Sequence, residues 1–298
     1  MFYVKAVGRG AKYSLQRSIV EKVARFVYAG GWPGRAWGRL PGRATVDLIE
    51  HELAILPRRP GVARTLRVAF ASDLHLGPLT SPVLLDRAFA LLTAARPDLL
   101  VLGGDYVYLE ATPAIAAELE ARVAAVPAAT KVAVLGNHDL WTRHDLLEQA
   151  LAGAGATVLV NQAATLPAPF QDIAVVGLDD PWTGQPDADR ALSGVTAAMT
   201  LAVAHSPEAL PSLIGRGLGL LLCGHTHGGQ IALPSGPVVV HGKEGRRFPA
   251  GLFRQGDLRF FVSRGLGAVE LPFRAYARPD VSLFTLTTPD GPADHQSA

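Results

Sequence analysis

Gly219-Leu220-Leu221-Leu222-Cys223-Gly224-His225-Thr226-His227 carries an unbroken apolar run directly into a glycine and two histidines. A short apolar run suits a strand buried on both faces, and the glycine lets the chain turn where it ends. The pattern recurs upstream. Residues 66–71 lead into Asp73-Leu74-His75, 99–102 into Gly103-Gly104-Asp105, 132–135 into Gly136-Asn137-His138-Asp139, and 201–204 into His205. Five strand ends thus collect oxygen and nitrogen donors at one edge of a sheet. In an extended backbone residues two apart share a side, so Asp73 with His75, and His225 with His227, would each present a pair of ligands.

Working outward, a further strand is expected at 173–177, and helices at 83–95, 114–125, 146–151 and 207–214. Strands alternating with helices indicate buried sheet covered by helices. Beyond Gln230 the helical signal fades, and 231–233, 238–240, 260–263 and 281–287 read as strands. A chain of 298 residues, 49% hydrophobic, can bury one large core.

Five of the nine histidines (His75, His138, His205, His225 and His227) lie in these loops, interleaved with Asp73, Asp105 and Asn137. Packing alone does not explain such a set. The imidazole, carboxylate and amide donors, without thiolate, suit manganese, iron, zinc, cobalt or nickel, with manganese as the working expectation. Other chemistries fail on inspection. Gly236 to Lys243 has one residue too many for a phosphate-binding P-loop, and Glu244 stands where Ser or Thr is needed. No GxSxG nucleophile elbow occurs. Cys223, the single cysteine, sits in an apolar run that suits a buried structural role.

The ordered set DxH, GGD, GNHD, H and GHTH resembles the calcineurin-like metallophosphoesterase superfamily over roughly residues 66–287. Gly224 to Ile231 (GHTHGGQI) and Val262-Ser263-Arg264-Gly265-Leu266-Gly267 are similar to a bacterial phosphodiesterase branch often tied to membranes. The resemblance implies an α/β four-layer sandwich, two mixed sheets flanked by helices, and two divalent ions. Asp73, His75 and His227 would hold one ion and Asn137, His205 and His225 the other, with Asp105 bridging. Two ions about 4 Å apart share and acidify a hydroxide that attacks a phosphodiester or pyrophosphate. His138 would protonate the leaving oxygen or stabilise the transition state. Asp139 would either orient His138 or cap the following helix. The alternatives are a phosphomonoesterase, a UDP-diacylglucosamine pyrophosphatase of lipid A synthesis and, outside catalysis, a binding scaffold on the same fold.

Residues 1–45 lie outside that resemblance and are read as a basic arm on a catalytic domain spanning 46–298. The arm holds nine Lys or Arg against Glu21 alone, a balance of +8 in a chain of net charge +2, which leaves −6 for the remainder. Leu15, Ile19, Val23, Phe26 and Val27 follow helical spacing among Lys12, Arg17, Lys22 and Arg25. Two readings stand. The helix lies on an anionic membrane, or it docks on the body through Leu15, Ile19 and Val23 with its basic face in water. A nucleic-acid arm ranks behind both. The segment 30–39, rich in Gly, Trp and Arg, is expected not to be regular helix. Charges interrupt every early apolar stretch, so neither signal peptide nor membrane span is expected, and the protein is placed in the cytoplasm, peripheral to the inner membrane face if the arm binds lipid.

Trp182, in the turn after 173–177, could stack on a base or cover core. The stretch 243–254 could grip a remote phosphate or form a solvated surface loop. Arg264 and Arg274 are further candidates.

Overall fold

A computed structural model describes residues 2–59 and 64–289, so part of the expected 46–298 domain, residues 60–63 and 290–298, lies outside the described residues. The strands in chain order are β1 (Asp47–Ala54), β2 (Thr65–Ala71), β3 (Leu99–Leu102), β4 (Thr130–Ala133), β5 (Ala156–Val158), β6 (Gln162–Thr165), β7 (Ile173–Gly177), β8 (Met199–Val203), β9 (Leu220–Cys223), β10 (Ala232–Leu233), β11 (Gly236–Pro237), β12 (Gly251–Gln255), β13 (Leu258–Val262) and β14 (Asp280–Thr287). They form two six-stranded sheets, β1-β14-β2-β3-β4-β5 and β12-β13-β9-β8-β7-β6, with β10 and β11 as a separate hairpin. Both sheets are mixed. In the first, β2 to β5 run parallel and β14 is antiparallel to β2. In the second, β7, β8, β9 and β13 run parallel between antiparallel edges.

Period-two alternation explains the layering. Leu66, Val68 and Phe70 of β2 meet Leu220 and Leu222 of β9 in the core between the sheets. Ala69 and Ala71 point the other way, under the helices α3 (Pro82–Ala95) and α4 (Pro113–Ala124) and the helix His144–Gly153. Leu221 and Cys223 face the outer core of the second sheet, beneath the short helices Ala188–Leu192 and Leu210–Leu213. The result is helix, sheet, sheet, helix. Cys223 is buried and unpaired there, as its apolar run implied.

Two sequence expectations fail. Residues 238–240 form no strand, and Val238 and Val239 are exposed. The Gly- and Trp-rich segment is helical: α2 spans Trp32–Arg39, following α1 (Leu15–Val27) and a single 3₁₀ turn. Pro33 occupies the first helical turn, where its missing N–H is not needed. Gly31, at φ 66°, supplies the left-handed entry. Gly34 and Gly38 lie against Thr80 and Ser81, where a Cβ at Gly34 would come 2.8 Å from the Thr80 carbonyl oxygen. These glycines serve close packing rather than helix breaking.

The arm packs on the body, but not through the face that its apolar spacing suggested. Glu21 and Ala24 are the buried residues of α1, whereas Leu15, Ile19, Val23, Phe26 and Val27 are all exposed. Ala24 joins a small cluster with Leu79, Tyr108, Leu109 and Ala268. Ahead of the helix, the backbone N–H groups of Val7 and Gly10 donate to Trp141 and Leu140, and that of Ala11 to Thr183. Arg9 grips Asp179 through two hydrogen bonds of 2.7 and 2.8 Å.

Candidate metal centre

Each strand-end loop delivers its side chains to one buried cleft. Asp73, His75, Asp105, Asn137, His138, His205 and His227 are all buried, and His225 nearly so. How they converge differs from the sequence argument. Asp73 (φ 56°), His75 (44°), Asp105 (55°), His225 (71°) and His227 (54°) all occupy the left-handed region. Turned backbone, not extended strand, aims each pair inward. That conformation costs about 1–3 kcal/mol per residue and persists only where the surroundings enforce it. Here tight loop packing enforces it. A Cβ at Gly136 would collide with the Asp105 carboxylate, and one at Gly224 with the Asp73 carboxylate and the Ser72 hydroxyl.

Two donor groups result. Nε2 of His75 and Nε2 of His227 are 3.1 Å apart, and Asp73 Oδ1 lies 3.4 Å from the latter. Nε2 of His205 lies 3.2 Å from both Nδ1 of His225 and Oδ2 of Asp105. That same Asp105 oxygen is 3.6 Å from Nε2 of His75, so it stands between the groups. Metal–ligand bonds of about 2.0–2.2 Å place neighbouring donors roughly 3.0–3.5 Å apart, and the separations match. The Asn137 side-chain oxygen is buried without a hydrogen-bond partner among the described residues. Burying such an oxygen is costly unless something coordinates it. The donor set and this orphaned oxygen fit two divalent cations.

Hydrogen bonds fix the ring orientations. Nδ1 of His205 donates to the Gly103 carbonyl at 2.8 Å, leaving Nε2 with its lone pair toward Asp105. His138 donates from Nδ1 to the Tyr108 carbonyl at 2.8 Å, and its backbone N–H donates to Asp105 Oδ1. The Arg274 guanidinium lies 2.8 Å from Nδ1 of His227 and braces that ring. Asp139 does not orient the His138 ring. Its carboxylate accepts from the backbone N–H groups of Asp105, Tyr106 and Gly136 at 2.8, 2.8 and 2.9 Å, tying two ligand loops together. Asp139 lies inside the helix Asn137–Trp141, not ahead of a later one, and its carboxylate closes a capping box with the Gly136 backbone N–H.

The electrostatics follow from burial. Burial pushes Asp73 up to about 6, and the adjacent Asp105 adds to this. Burial acts on Asp105 as well, but His205 and His138 outweigh it and hold that carboxyl well below the usual range. Burial lowers His75 to about 4 and His225 to about 3, keeping these rings neutral and available as donors.

Several flanking residues were not singled out by the sequence. Arg17 of α1 reaches the His138 ring, and Trp141 lies beside it with ring centroids 5.4 Å apart. No motif marks Arg17, since it reads as one charge among several on a basic helix. Trp182 packs against His225 at 5.5 Å, at the mouth of the cleft rather than in the core. Arg274, only a weak candidate by sequence, is a half-buried brace that also donates to the carbonyls of Arg264, Gly267 and Ala277. Arg264 is engaged by Asp280 and Asp47. In the 243–254 stretch Arg247 pairs with Glu244 and Arg254 bonds Gly256, so these charges serve local structure.

The profile described as calcineurin-like phosphoesterase matches residues 66–229. Phosphodiesterase YaeI of Escherichia coli is 32% identical over 80% of this chain and 88% of its own length. The metallophosphoesterase YkuE of Bacillus subtilis is 31% identical over 72% of this chain and 77% of its own. Among solved structures, the Haemophilus influenzae NAD nucleotidase aligns with a TM-score of 0.45 at 14% identity, over 69% of this chain and 46% of that one. With its ligand motifs inside the matched segment, the chain belongs to the calcineurin-like phosphoesterase family.

Proposed function

We propose that the protein is a dinuclear metal-dependent phosphoesterase that hydrolyses a phosphodiester or pyrophosphate. The observation that carries this reading is the pair of donor groups sharing Asp105 Oδ2, together with the unpartnered Asn137 oxygen. Asp73, His75 and His227 are assigned to one ion, and Asn137, His205 and His225 to the other, with Asp105 between them; manganese is the first ion to test. Two divalent ions in such a site polarise the phosphoryl group and lower the pKa of water. His138 is assigned to the leaving oxygen. Its Nδ1–H is committed to Tyr108, so Nε2 is the nitrogen free to act. Asp139 is a positioning residue acting through the loop backbones. The preference for diesters draws on the relative named a phosphodiesterase.

The test is manganese-dependent hydrolysis of an aryl phosphodiester and its monoester by wild type and His138→Ala. Diester turnover should fall by about 10²- to 10⁴-fold in the variant with metal still bound. Preferred turnover of the monoester would replace the diesterase assignment with a phosphatase.

The outward apolar face of α1 favours a second element, in which residues 1–45 attach the 46–298 catalytic domain to an anionic membrane surface. A soluble protein seldom turns Ile19, Val23 and Phe26 outward while burying Glu21 on the same helix. Lys22, exposed and at helical spacing from Ile19 and Phe26, adds the basic charge that interfacial helices carry. Such attachment would suit a lipid-linked substrate. No described helix is long and apolar enough to cross a membrane.

A further inference from the structure

Arg17 belongs to α1, outside the 66–229 segment that carries the family motifs, yet it ends inside the site. Its Nη2 lies 3.2 Å from Nε2 and 3.3 Å from Nδ1 of His138. Nearly equal distances to the two ring nitrogens put Nη2 over the face of the imidazole, which leaves the in-plane lone pair of Nε2 free. The guanidinium is held firmly. Nε donates to Glu21 at 2.8 Å, Glu21 is buried and accepts the Tyr13 hydroxyl at 2.6 Å, and the guanidinium carbon sits 4.6 Å from the centre of the Trp141 ring.

The Glu21 pair alone would anchor the helix. It does not account for an edge of the guanidinium turned toward the one motif histidine with no assigned metal. Among the described residues, Nη1 has only a 3.5 Å contact with Glu270. The two terminal nitrogens therefore carry donors not fully used, oriented by a carboxylate on the opposite edge. An arginine held in this way is preorganised to bind two oxygens of one phosphate. The positive charge sits against a histidine beside Asp105, where a phosphoryl group held by both cation sites would present its non-bridging oxygens.

We infer that Arg17 is a substrate-binding residue of this centre, donated by the amino-terminal helix to the phosphoryl oxygens beside His138. The inference rests on the phosphoesterase reading above and names a residue that the family motifs do not supply. On substrate binding, Arg17 exchanges its contact with the His138 ring for phosphate oxygens.

The experiment uses the full chain loaded with manganese, with inorganic phosphate as the binding probe and an aryl phosphodiester as substrate. Arg17→Gln should lower kcat/KM by roughly 10²-fold and weaken phosphate binding, with bound metal and melting temperature unchanged. Arg17→Lys should recover only part, since it supplies charge without the fork. Millimolar guanidinium should partly restore Arg17→Ala, a rescue that a purely structural role would not show. Unchanged phosphate affinity and kcat/KM in Arg17→Gln would overturn the inference and leave Arg17 as a helix anchor. Faster turnover would overturn it too, and make the arm an obstruction. Should the wild type with both ions hydrolyse neither ester, the phosphoesterase reading fails, but the difference in phosphate affinity between wild type and Arg17→Gln still decides whether Arg17 contacts phosphate.

Discussion

Replacing Ile19 and Phe26 together with serine is the sharpest test of what the outward face of α1 does. The two side chains are 54% and 86% exposed, so their removal disturbs almost no internal packing, and stability should change by less than about 0.5 kcal/mol. At a lipid surface the same atoms would be withdrawn from water. Full burial of an Ile or Phe side chain is worth about 1.5–3 kcal/mol, and the exposed fractions amount to roughly one and a half such residues, or about 2–4 kcal/mol. The double variant should then lose about 30- to 1,000-fold in vesicle partitioning, at about 1.4 kcal/mol per tenfold. Co-sedimentation with phosphatidylcholine vesicles, with and without phosphatidylglycerol, measures this directly. Wild type should pellet with the anionic vesicles and be released by added salt, because exposed basic residues such as Lys22 supply part of the attraction. Turnover of a soluble diester should be unchanged in the double variant. Equal partitioning of variant and wild type, or no binding of the wild type to anionic vesicles, would refute the reasoning.

Gly224→Ala should empty the Asp73 side of the centre without altering a ligand, because the added Cβ meets the Asp73 carboxylate; metal analysis should show fewer ions per chain, with stability reduced by about 1–3 kcal/mol. Arg274→Met removes the partner of His227 Nδ1, and calorimetric titration should show manganese affinity reduced by about 10- to 100-fold. The Arg9 grip on Asp179 gives a pH dependence. Burial raises the Asp179 carboxyl, but the Arg9 hydrogen bond and backbone donors outweigh it and hold the pKa below the ordinary value, so the stabilisation is complete above about pH 4 and disappears as pH falls through the depressed pKa. Protection of the Gly10 and Ala11 amides, measured relative to their intrinsic exchange rates, should be high at neutral pH, fall on acidification, and be low at every pH in Arg9→Ala.

Much of this was legible in the sequence because burial on both faces leaves short uninterrupted apolar runs. β3 and β7 were found with their observed ends, and β9 to within one residue. β1 was not found. It is half-exposed, and Glu50, His51 and Glu52 interrupt its apolar pattern. The candidate ligands were legible because each follows a strand end. Their backbone geometry was not, since a left-handed Asp or His depends on neighbouring loops that only the fold brings close. The orientation of α1 was equally invisible, because apolar spacing identifies a face without saying whether protein or another phase covers it. Arg17 illustrates the same limit. Its importance comes from Glu21 on its own helix and His138 far along the chain, and no local pattern joins the three.

The position of β14 has a consequence for how the molecule comes into being. This strand, the last described, lies between β1 and β2 and pairs with both, while Asp280 at its start accepts from Ser263 and Arg264 beside the ligand loops. During synthesis every proposed ligand, up to His227, leaves the ribosome before the strand that joins the two parts of the first sheet. Until residue 287 has emerged, β1 and β2 expose unpaired edges of the kind that invite pairing with other chains. Assembly of the metal centre is therefore expected to be a post-translational event, and a nascent chain stalled short of β14 should neither retain manganese nor resist aggregation.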